Sequence, residues 1–162
     1  MPRALVLGVG NILMQDEGVG VRVVEWLQSR YRAANVTLLD GGTMGLDLLH
    51  YLPETDHLLI IDAVNSGASP GDLTVLTGKD VPAFLGTKIS PHQIGVTDLL
   101  ATAQLMGYTP PEVVILGVQP RSMQVGLEMS PEVEAAVERL GQMALHQLEQ
   151  WGYHPVPLPA PH

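Results

Sequence analysis

Hydrophobic residues along this chain fall into two kinds of block. Ala4–Val9 (ALVLGV), Asn35–Leu39 (NVTLL), His57–Val64 (HLLIIDAV) and Glu112–Val118 (EVVILGV) are short, mostly continuous apolar runs. Such runs read as strands buried on both faces. Between them, apolar positions recur every three or four residues, the period of a helix with one face turned inward. From Val19 to Arg32, a predicted helix, Val19, Val23, Trp26, Leu27 and Arg30 share that spacing, and Leu46, Leu49 and Leu52 repeat it. Val96, Leu99, Leu100, Ala103 and Met106 form a third stripe, and Val133, Val137, Leu140, Ala144 and Leu148 a fourth.

The breaks between blocks carry their own signals. Thr43 is placed to cap a short helix that Pro53 stops. Gln93 or Ile94 opens the third helix, which ends near Gly107. Ser130-Pro131-Glu132 combines a capping hydroxyl, proline at the first helical position and acid in the first turn, and its helix runs to about Trp151. The NSGASPG stretch is turn material, after which Asp72–Leu76 reads as one more strand. The link between this strand and its predecessor is about seven residues, and a parallel crossover needs a dozen or more. The Asp72 strand is therefore expected to run antiparallel or to lie at an edge.

Strands alternating with helices predict an α/β fold. The expectation is a three-layer α/β/α sandwich around a mainly parallel twisted sheet of about five strands, with strand 72–76 antiparallel. Lys79 to His92 reads as irregular. A single domain is expected over residues 1–152, followed by a flexible Pro-rich tail over 153–162.

Composition narrows the function. The 162 residues are 46% hydrophobic and 15% charged, enough for a packed core. Eight Lys and Arg face 17 Asp and Glu, a formal charge of −9, which disfavours nucleic acid and anionic membrane as partners. There is no cysteine, so thiolate catalysis, disulfides and Cys-based zinc sites are excluded. No apolar run approaches the roughly 20 residues that span a bilayer, and MPRALVLG is too short for a signal peptide. A cytoplasmic location is expected.

In parallel sheets, sites form beyond the carboxyl ends of the strands. The first such place is GVGNILMQDEGVG, Gly8 to Gly20. It fails the dinucleotide fingerprint because position 13 is Leu, and it lacks the Lys of a P-loop. Asp16 and Glu17 would also repel a pyrophosphate. The loop reads as one that presents a carboxylate, or else as acids that favour a helix start through its dipole. Asp62 sits among Leu, Ile, Ala and Val near the end of a strand. A buried acid there needs hydrogen bonds, a cation or a metal. His92, just before a helix, is a weak signal by itself. Together Glu17, Asp62 and His92 offer two carboxylates and an imidazole, a donor set suited to a borderline divalent metal with open positions. Asp40-Gly41-Gly42 also ends a strand and either lines the same cleft or only turns the chain. Histidines 50, 57, 146, 154 and 162 have no comparable setting.

GVGNILMQDEGVGVRVVEWL, LDGGTMGLDLL, LLIIDAV and KISPHQIGVTDLL closely resemble the maturation proteases of nickel–iron hydrogenases, over about Arg3 to Trp151. The resemblance implies an α/β/α endopeptidase that removes a C-terminal extension from the hydrogenase large-subunit precursor after nickel insertion. It implies nickel recognition by Glu17, Asp62 and His92, with Asp40 nearby. Nickel would come on the substrate, with zinc or cadmium able to stand in, and the enzyme is expected to be a monomer. Two mechanisms remain open. Substrate-borne metal polarises the scissile carbonyl or activates water, or the metal only docks the substrate and Asp62 or Asp40 acts as general base. The second explains an aspartic-type classification. The competing reading is a non-catalytic flavodoxin-like module that binds a metal or small ligand.

Overall fold

The computed structural model describes residues 2–10, 12, 15–42, 45–78, 94–122 and 125–159. Strand β1 (Ala4–Val9) leads through a 3-10 turn (Gln15–Gly18) into helix α1 (Val19–Arg30). Strands β2 (Tyr31–Arg32) and β3 (Val36–Gly42) follow, then a 3-10 helix (Gly45–Tyr51), β4 (His57–Ala63) and β5 (Leu73–Thr77). The chain continues through α2 (Ile94–Met106), β6 (Glu112–Val118), α3 (Pro131–Glu134), α4 (Ala136–Gln150) and β7 (Val156–Pro157). The single predicted helix from Ser130 onward is thus interrupted at Ala135. The Thr43 cap and the irregular stretch from Lys79 to His92 fall outside the described residues.

The main sheet has five strands in the order β3-β1-β4-β6-β5. The first four are parallel, and β5 pairs antiparallel with β6. The short link after β4 explains this: without a crossover helix, the chain turns back and lays β5 at the edge beyond β6. β5 is accordingly half exposed, with Val75 48% accessible.

Both faces of the central strands are covered, which is why they read as unbroken apolar runs. On one face Val6, Leu59, Ile61 and Leu116 pack against Val23 and Leu27 of α1 and Leu140, Ala144 and Leu148 of α4. On the other, Leu7, Leu58, Ile60 and Ile115 meet Leu48 of the 3-10 helix, Leu52 just after it, and Leu100 and Ala103 of α2. Three layers result. A glycine pair sets the closeness of α1. A Cβ on Gly8 would strike the Gly20 backbone and Val24, and one on Gly20 would strike the carbonyls of Ile61 and Val9. The start of α1 therefore lies directly over the ends of β1 and β4.

The Pro-rich tail from residue 153, expected to be extended or flexible, lies against the body over 153–159. Gly152, at φ 96°, follows α4 in the left-handed conformation. Its N–H donates to Glu149 O (3.0 Å) and that of Tyr153 to Leu148 O (2.9 Å). This Schellman-type end needs glycine and folds the chain back on the body. Tyr153 is buried, and Val156–Pro157 pairs antiparallel with Tyr31–Arg32. Tyr31 and Arg32, predicted as the last turn of the first helix, are therefore strand.

Candidate active site

The carboxyl ends of β1, β3, β4 and β6 lie along one rim. Asp62, the sixth residue of β4, is 1% exposed and stands opposite Gly117 of β6. Its Oδ1 accepts the N–H of Ala63 at 2.8 Å, which orients the carboxylate. Burial of both neighbouring strands supplies the fixed, apolar surroundings that the sequence predicted for this acid.

The turn carrying Glu17 packs against β4 through the glycine contacts at the head of α1. The backbone of Glu17 therefore stands near the strand end that carries Asp62. His92 lies outside the described residues. Among the described residues, no three His, Cys, Asp or Glu side chains gather as a metal-holding group. That set does not include His92.

Asp40 is exposed at the end of β3, in register with Gly8, which in turn faces Ile61. Alternation along the strands separates the two aspartates. Asp40 shares a face with Val36 and Leu38, which pack toward α1 and α4. Asp62 shares a face with Leu58 and Ile60, which pack toward α2. Two strands and opposite pleats do not favour a pair sharing one proton.

Asp16 and Glu17, adjacent in sequence, are not equivalent. Asp16 is fully buried, and its carboxylate is filled by four donors from the loop after β6. Oδ2 accepts from Arg121 N (2.8 Å), Ser122 N (2.9 Å) and Ser130 Oγ (2.7 Å), and Oδ1 from Ser130 N (2.6 Å). Asp16 N donates in return to Ser122 O at 3.0 Å. Asp16 therefore neither presents its charge outward nor caps α1, whose N-cap Gly18 has no side-chain cap bond. The Ser130 hydroxyl, expected to cap its own helix, is drawn to Asp16 instead. Gln15 reinforces the brace: its N–H donates to Gly126 O at 3.0 Å, and its side-chain oxygen accepts from Ser122 Oγ.

A second brace lies beside Asp62. Gln119, 7% exposed, accepts from Ser66 N (2.8 Å) and Ala68 N (3.2 Å) and donates to Asn65 Oδ1 (3.2 Å). It ties the loop after β4 to the end of β6. Nothing in the sequence marked Gln119, because its role depends on a loop more than fifty positions earlier. Asp16 was visible as an acid, but its neighbour Glu17 carried the same signal.

Comparison with known proteins places this geometry. Residues 21–147 match the hydrogenase maturation protease family. The chain is 42% identical over 162 residues to the hydrogenase 2 maturation protease of Escherichia coli, covering 99% of each chain. The solved structure of the hydrogenase maturating endopeptidase HybD from E. coli superposes with a TM-score of 0.90 over 96% of this chain and 97% of that one. A [NiFe] hydrogenase maturation protease, HybD from Thermococcus kodakarensis, superposes at 0.72 with 26% identity, over 90% of this chain and 98% of that one. Among the described residues no helix is long and apolar enough to cross a membrane. The family match, the full-length relative and the shared α/β/α architecture agree: this chain belongs to the hydrogenase maturation protease family and is a peptidase.

Proposed function

We propose that this protein removes the C-terminal extension of a nickel–iron hydrogenase large-subunit precursor, in the cytoplasm and as a monomer. Nickel already seated in the precursor is the mark that licenses the cut, held by Glu17, Asp62 and His92. The observation that carries the reading is Asp62, a buried and oriented carboxylate at the end of a central strand, with the Glu17 turn packed against that strand in a peptidase fold. A carboxylate in such apolar surroundings gains from meeting a cation, and nickel on the substrate supplies one. The nickel would then polarise the scissile carbonyl, making cleavage conditional on metal insertion.

The carboxylate route remains available only through a single acid. Opposite pleats for Asp40 and Asp62 argue against a proton-sharing pair, so a general base would be one of them alone. Asp40, exposed at the rim, fits a substrate-facing role better than a buried one. The non-catalytic flavodoxin-like module is not favoured, because the relatives are peptidases along their whole length.

The test is cleavage of a purified full-length precursor in nickel-loaded and metal-free forms. Nickel-loaded precursor is cut, and metal-free precursor is not. Glu17→Gln, Asp62→Asn and His92→Ala each slow the cut by roughly a hundredfold or more. Equal cleavage of both precursor forms would remove the metal check, and full activity in a variant would remove that residue.

A further inference from the structure

We propose that Val125 and Leu127 form an apolar shoulder beside the active site on which the protein substrate docks. The inference rests on the function proposed above and specifies which surface of the enzyme the precursor touches. Residues 119–130 join β6 to α3, a connection longer than the two to six residues usual in α/β units. Long connections held on a rigid scaffold are where binding residues concentrate.

This loop is tied, over its described residues, to the Gln15–Gly18 turn. Its Arg121, Ser122 and Ser130 bond the buried Asp16, and Gly126 O accepts from Gln15 N. A Cβ on Gly126 would press within 3.1 Å of the Gln15 side chain, so backbone and turn touch there. On either side of that contact, Val125 is 83% exposed and Leu127 64% exposed. A loosely held loop would turn such side chains inward, and the bonds to Asp16 and Gln15 oppose that. The two residues are thus kept in water next to the turn that bears Glu17.

Exposure alone would not set them apart, since single exposed apolar residues are ordinary. Leu105, 88% exposed near the end of α2, is such a residue, on an element that the loop brace does not involve. Attachment to the Glu17 turn distinguishes the shoulder. The loop touches the turn that bears Glu17 through Gly126 and Gln15, so a substrate segment that reaches that turn comes close to the shoulder. The segment it fits is apolar and free of acidic residues, because Glu128 adjoins Leu127 and the enzyme carries a net charge of −9.

The experiment compares steady-state cleavage of full-length nickel-loaded precursor by wild type, a Val125→Ser/Leu127→Ser double variant and a Leu105→Ser control. The double variant raises KM on the order of tenfold, keeps kcat within about twofold and melts at the wild-type temperature. Leu105→Ser changes none of these. A wild-type KM in the double variant, or an equal rise in Leu105→Ser, overturns the docking site while leaving the proposed function standing. Failure of the wild-type enzyme to cut the precursor overturns the proposed function itself, and the docking site with it.

Discussion

At the carboxyl rim of the sheet, two buried side chains gather main-chain N–H groups from distant loops; at the amino rim, an exposed ion pair and a histidine–tyrosine contact join side chain to side chain. Asp16 and Gln119 are buried, and their oxygens are filled by main-chain N–H groups of distant loops. At the other rim, His57 Nδ1 lies 2.7 Å from the Tyr153 hydroxyl, and its ring packs 4.8 Å from that of Trp151. Arg3 pairs with Glu54 at 2.9 Å, both exposed, a contact worth little in water. The difference matters because removing one buried acceptor frees several main-chain donors at once, whereas a freed side chain near the surface meets water. One rim is locked so that chemistry has a fixed frame, and the other secures the returning tail.

The largest test of this contrast is Asp16→Ala. It strands the N–H groups of Arg121, Ser122 and Ser130 together, and a loss of about 3 kcal/mol is expected. Urea unfolding measures it, and a loss under about 1 kcal/mol would mean that the loop finds other partners cheaply. Asp62→Asn sharpens the contrast from the other side. Cleavage should fall at least about a hundredfold, roughly 2.7 kcal/mol in barrier, while stability stays within about 1 kcal/mol of wild type. A folded Asp62→Asn enzyme that cuts normally would reduce Asp62 to a structural acid like Asp16.

The smallest effect belongs to the amino rim. Tyr153→Phe removes the contact to His57 and should cost about 1 kcal/mol near neutral pH. Burial first, and Asp56 second, hold the Tyr153 hydroxyl above its ordinary value of 10.0. The folded state thus favours the protonated phenol. Its stabilisation is complete below the unfolded value and is lost as pH rises through the higher folded one. The unfolding midpoint of wild type should therefore fall more steeply above about pH 10 than that of Tyr153→Phe. Parallel pH curves for the two proteins would detach Tyr153 from alkaline unfolding.

Much of the frame was legible. The strands at Ala4, His57 and Glu112 were plain because burial on both faces leaves no polar alternation to confuse them. β5 was predictable from the length of its link alone. The docked tail was not, although Gly152 after a helix was a readable stop signal; the prolines beyond it pointed to extended chain without saying what it would touch. β2 is two residues long and exists only because that tail comes back to pair with it.

The site divides along the same line. By itself the sequence determined that Asp62 had to be satisfied, since an acid inside an apolar run cannot be left bare. Only the tertiary structure decided how. Asp16 and Glu17 are neighbours with the same charge, and residues 121–130, a hundred positions away, claim the first of them. Asp40 and Asp62 both end strands, and pleat and strand order set them on different faces. Local sequence fixes the energy that a buried charge demands, but the partner that meets the demand arrives from elsewhere in the chain, and chain reversal, not spacing, brings it.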